Sequence, residues 1–109
     1  MNIIESFTRL AAVGVSVEGL TFIGDQPMLR VHAGTRFFFI SPTSATALLC
    51  NAVLEKWPHW MAYETDDGWW FVQVVSHRHP SLTATVAQPG KSRLAALTLA
   101  AEAKHKEGA

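Results

Sequence analysis

The residues of this chain best suited to chemistry are few and scattered. His77 and His79 are two apart, and in an extended segment that spacing puts both imidazoles on one side, within reach of a single metal ion. A third ligand would come from His32, His59 or Glu64, and the plain alternative is a solvated loop, His77-Arg78-His79-Pro80-Ser81. Pro89-Gly90-Lys91-Ser92 resembles the end of a phosphate-binding loop, but that motif needs a glycine where Thr85 stands, and no later strand is left to supply a magnesium-binding acid. Cys50 lies inside an apolar helical stretch, beside Leu49 and Asn51, away from the cationic or helix-start setting that activates a thiol. Glu64, Asp66 and Asp67 cluster, yet two of these are ordinary turn residues, and no second acid faces them to share general acid and base roles. No catalytic, cofactor-binding or metal-ligating set is therefore expected, and the chain reads as a non-enzyme. The alternative is a small enzyme or metal-binding protein built on His77 and His79.

The stronger signal is aromatic. Trp60 to Val75 consists of two runs rich in aromatic and β-branched residues around Asp67-Gly68, a dipeptide that tolerates a tight hairpin turn. With Asp67 and Gly68 at the turn centre, Tyr63 faces Val72 and Met61 faces Val74, and a turn centred on Asp66 and Asp67 keeps the same two faces. Met61, Tyr63, Trp70, Val72 and Val74 then form a core wall. Trp60, Glu64, Trp69, Phe71 and Gln73 occupy the other face, where large rings beside Glu and Gln match the anchors and polar rim of a protein interface. The plain alternative is a second core layer under the helices. Base stacking on such a face calls for Lys and Arg at its margin, and these are missing here.

Composition narrows the class. The chain has 109 residues, of which 49% are hydrophobic, enough for one domain spanning residues 1–109 with one core. Nine Lys and Arg balance nine Asp and Glu, giving zero net charge; this argues against a general nucleic-acid binder and leaves no long-range repulsion between copies. One cysteine cannot form an internal disulfide, which fits a reducing, cytoplasmic setting. No basic leader or membrane-length apolar run is visible.

The elements that would position these groups follow from periodicity and punctuation. Ile3, Ile4, Phe7, Leu10 and Ala11 predict a helix over residues 2–13, capped by Asn2 and stopped by Gly14. Val15 to Val17, Leu20 to Ile23, Met28 to His32 and Arg36 to Ile40 supply two or three meandering strands. The unbroken Phe37-Phe38-Phe39-Ile40 run predicts a strand covered on both faces. Ser41-Pro42 opens a helix that runs to Lys56, and Trp57-Pro58 closes it. After the aromatic hairpin, Leu82 to Ala87 is one more strand, Pro89-Gly90 is a break, and a helix from Ser92 to about Lys104 buries a Leu94, Leu97, Ala101 stripe. The tail frays from about residue 105. The expected fold is α+β, in αβββαβββα order, with helices packed on a largely antiparallel sheet of six strands.

From Ser41 to Ala103 the chain carries a capped Ala-rich helix, a Gly-Trp-Trp hairpin, a Thr/Ala-rich strand and an Arg-Leu-Ala-Ala-Leu helix. In this it resembles small phage and prophage proteins of the ABA-sandwich type. The resemblance covers a little over half the chain and implies a phage or prophage origin; it brings no catalytic residues with it. The functional expectation is a small cytoplasmic protein-binding protein that occupies a surface on a partner protein or on its own copy, most simply as a homodimer through the Trp69 and Phe71 face. Its most concrete version is an inhibitor of a host defence system, such as an anti-CRISPR protein.

Overall fold

The computed structural model describes residues 1–30, 36–57, 60–64, 70–75, 82–90 and 93–106, and for the strands between 60 and 90 it describes the backbone and its pairing. The fold is α+β. Its elements are α1 (Ile3–Ala12), β1 (Leu20–Ile23), β2 (Gln26–Arg30), β3 (Phe37–Phe39), α2 (Pro42–Lys56), β4 (Trp60–Glu64), β5 (Trp70–Val75), β6 (Leu82–Gly90) and α3 (Arg93–Lys106).

Both leading helices start where their side chains can satisfy a free backbone donor. The Asn2 side-chain oxygen accepts from the Glu5 N–H at 2.8 Å, and the Ser41 hydroxyl accepts from the Ser44 N–H at 3.1 Å, with Pro42 at the first helical position. α1 ends at Val13, and Gly14 follows with φ +79°. The ammonium of Lys56, at the end of α2, donates to the carbonyls of Val13 and Gly14 at 3.4 and 3.3 Å, placing a cation at the negative end of α1.

The six strands form two three-stranded antiparallel sheets, ordered β1-β2-β3 and β4-β5-β6, instead of the single sheet expected. In the first, Ile23 pairs with Gln26 across a two-residue turn in which Gly24 has φ +61°, as tight hairpin turns require. Pro27, which precedes the strand expected to begin at Met28, lies within β2 opposite Phe22. Its carbonyl accepts from the Ile40 N–H at 3.1 Å, and Ile40 lies just past β3, so the proline's missing donor falls beyond the end of that strand's pairing. Val15 to Val17 form no strand. β6 runs through Pro89 to Gly90 instead of breaking there, and its pairing with β5 is irregular between Trp70 and Val72 and between Val74 and Val75, the kind of irregularity that lets an edge strand tolerate proline.

α3 is the hub. It packs against α1 and α2 as well as against β5 and β6, and Leu94 to Thr98, Ala100 and Ala101 are all buried. The expected single stripe is therefore a helix covered nearly all round over this span, and its alanines let neighbouring elements approach closely. The core joins Leu94, Ala96, Leu97, Ala100 and Ala101 to Leu10, Val13, Val15 and Leu20, to Ala45, Leu49, Cys50 and Val53, and to Trp57. The buried Thr98 hydroxyl donates to the Leu94 carbonyl at 2.7 Å, so its polar atom is satisfied within the helix. α3 continues to Lys106, so His105 and Lys106 are helical where fraying was expected; residues 107–109 lie outside the described residues. An Arg9–Glu102 ion pair with two hydrogen bonds, at 3.1 and 2.5 Å, ties α1 to α3 at the margin of the core.

Candidate association surface

The aromatic hairpin forms, but in a different register. Trp60 pairs with Val74, Met61 with Gln73, Ala62 with Val72, Tyr63 with Phe71 and Glu64 with Trp70. Five residues, 65–69, separate the paired ends, so the pairing is centred on Asp67. The odd loop length reverses the parity expected for turns centred on Asp67-Gly68 or Asp66-Asp67. Directly opposed residues share a side of the pleat, so Trp60 and Glu64 take register positions with Trp70, Val72 and Val74, and Phe71 and Gln73 take theirs with Met61 and Tyr63. Of the proposed interface set of Trp60, Glu64, Trp69, Phe71 and Gln73, the four described residues are thus divided, Trp60 and Glu64 at one face and Phe71 and Gln73 at the other, and the expected core wall is divided likewise. Trp69, Asp66 and the Asp67-Gly68 turn lie outside the described residues. So do His32, His59, His77, His79, Lys91 and Ser92, and with them the metal and phosphate candidates. Among the described residues no group of three or more His, Cys, Asp or Glu could hold a metal ion. Among them, too, no helix is long and apolar enough to cross a membrane.

Cys50 is buried on α2. Burial pushes its thiol above the usual range, opposed in part by the charge of Arg93. A raised thiol is a poor nucleophile, so Cys50 serves as a small core residue.

The exposed chemistry of the described surface lies elsewhere, on β3. Phe37, Phe38 and Phe39 are 48%, 54% and 67% exposed, and Ile23 at the end of β1 is 58% exposed. The expectation that this run is covered on both faces is overturned. A run without alternation does place rings on both faces, but the helices reach this sheet at its other two strands. α2 packs against β2, and the Phe7 ring of α1 meets the Phe22 ring of β1 edge to face at 5.0 Å. Burial resumes at Ile40, which packs against the core as the chain turns into α2.

The hydrogen-bond parity of β3 follows from its pairing. Phe38 is opposite Leu29 and Phe39 opposite Met28, and the Ile40 N–H bonds to Pro27. Alternate residues of a strand direct their backbone groups to opposite sides, so Phe38 and Ile40 bond towards β2, while Phe37 and Phe39 direct their N–H and C=O groups to the open edge. No described strand pairs with β3 on that side. Compared with protein families, characterised proteins and solved structures, the chain matches none. The surface must therefore be read from its own chemistry. Three consecutive large rings beside backbone donors and acceptors that no described strand pairs form the kind of edge that natural proteins usually blunt with charge, proline or a covering element.

Proposed function

We propose that this chain is a small non-enzymatic protein-binding protein, of phage or prophage origin, that acts by occupying a surface on a partner. Inhibition of a host defence system, as by an anti-CRISPR protein, is the most concrete form of that reading. The observation that supports it is the open β3 edge. Phenylalanines 48 to 67% exposed on three successive residues stand outside the core cluster, and aromatic side chains at a sheet edge are suited to anchor another polypeptide. Zero net charge across the chain favours contact by apolar burial and backbone pairing over steering to a charged polymer.

The test is site-specific photo-crosslinking in the producing cell, with a benzophenone amino acid at position 39 and a control at the exposed Glu18. An adduct at position 39 with another polypeptide, foreign or a second copy, that disappears when Phe37 is changed to Lys supports the reading. Absence of any adduct at position 39, or equal adducts at 39 and 18, refutes it.

A further inference from the structure

Resting on the reading of β3 as an association surface, we infer that its occupant is a second copy of this chain, joined by antiparallel β3 to β3 pairing about a two-fold axis at Phe38. The hydrogen-bond parity permits this arrangement, and centring it on the middle residue of β3 is what pairs both outward-facing residues within the strand. Phe37 and Phe39 are the residues whose backbone groups face the open edge, as set by the bond from Ile40 to Pro27. In an antiparallel pair centred on Phe38, Phe37 of one copy lies opposite Phe39 of the other, and these two exchange N–H···O=C bonds; the symmetric pair does the same. Four outward backbone donors and their acceptors are satisfied in one step. Phe38 then meets its own symmetry mate at a non-hydrogen-bonded position, where opposed side chains come closest. All three cross-strand pairs are aromatic, a combination favoured in sheets.

Charge placement agrees with the same choice of hand. Exposed Arg36 precedes the strand. The antiparallel arrangement sets it opposite Ile40 of the other copy and keeps the two arginines at opposite ends, whereas a parallel one would bring them side by side. The joined molecule carries one six-stranded sheet, ordered β1-β2-β3-β3-β2-β1. From their exposure, the three rings present on the order of 300 Å² per copy, or roughly 600 to 700 Å² for the pair. That is below the roughly 1,200 Å² of a stable interface, so the pairing is weak and reversible and is sought from about 10 µM up to about 1 mM.

Sedimentation velocity of the purified chain over that range tests it. The wild type is expected to move towards twice the monomer mass. Phe38→Lys and Phe38→Asp should each remain monomeric, since each sets like charges face to face at the axis, and an equimolar mixture of the two should recover the dimer. Phe39→Pro should also be monomeric, because it removes an outward N–H while leaving the bonds to β2. Thermal melts of each variant by circular dichroism confirm that the fold is intact. A wild type that stays monomeric to 1 mM overturns the proposal, as does a dimer indifferent to Phe38→Lys or a mixture that fails to recover. A foreign adduct at position 39 in cells, with a monomeric purified chain, would sink the self-pairing while leaving the broader reading standing; absence of any adduct would remove both.

Discussion

Gly19→Ala, with Gly24→Ala as its internal control, isolates the effect of one close backbone approach. Both glycines have left-handed φ, +79° at Gly19 and +61° at Gly24. Each substitution therefore incurs the strain of a side chain in that region, roughly 1 to 2 kcal/mol, offset by about 0.4 to 1 kcal/mol from the reduced freedom of the unfolded chain. Nothing lies within 4 Å of a Cβ at Gly24, whereas a Cβ at Gly19 would sit 2.8 Å from the Arg30 carbonyl oxygen, a backbone atom that cannot swing aside. Gly19 also accepts from the Arg30 N–H at 2.9 Å, so relieving the clash stretches that bond and forces β1 away from β2. Gly24→Ala should cost roughly 0 to 1.6 kcal/mol. Gly19→Ala should cost roughly 1 to 4.6 kcal/mol, adding an overpacking penalty of about 1 to 3 kcal/mol. Urea unfolding followed by tryptophan fluorescence measures both. Equal losses within about 0.3 kcal/mol would show that the approach of Gly19 to β2 does not constrain the sheet.

Leu97→Ala should destabilise the fold by about 2 to 5 kcal/mol, since Leu97 is fully buried where α3 meets its neighbours. Phe38→Ala at micromolar concentration should cost under about 1 kcal/mol, its ring being half exposed; denaturant melts of the two variants side by side check the contrast. The Cys50 thiol should resist a thiol reagent at pH 8 in the native state and react at once in denaturant. Because burial raises its pKa in the fold, its contribution to stability is fully present below the unfolded value, near 8.5, and is lost as pH rises from there through the folded one. An alkaline fall in stability that persists unchanged in Cys50→Ala would assign that loss to another group.

The local grammar of this fold was readable where one residue type has one physical role. Asn2 and Ser41 as caps, Pro42 at a first turn and Trp57-Pro58 as a stop fixed α1 and α2 to within a residue, because capping depends on neighbours three positions away. Sheet membership was not readable in this way. Nothing in Leu20 to Phe39 or Trp60 to Gly90 states that the strands divide into two sheets, since that depends on where the helices fall between them. The face assignment around Tyr63 and Phe71 was sensitive to a single residue of loop length, because strand parity has a period of two. The Phe37 to Phe39 run was visible as a strand apolar on both faces. Whether a second layer or open solvent meets those rings is decided by the reach of α1 and α2 over the sheet, a tertiary property that a three-residue pattern does not encode.

The hub position of α3 has a consequence for how the chain is made. Arg9 and Glu102, which join α1 to α3, are 93 residues apart in sequence, and Leu10, Leu49 and Val53 share their core with Leu94, Leu97 and Ala101. Synthesis runs from the amino end, so α1 and α2 emerge from the ribosome long before the helix that completes their burial. Closing loops of that length is slow compared with forming a helix or a hairpin. The nascent chain therefore waits with its apolar faces uncovered until residues 94–101 arrive, and folding is completed in a late step. A ribosome stalled after α2 has emerged and before that segment would hold a chain with every element of the first sheet in hand and no centre to close upon.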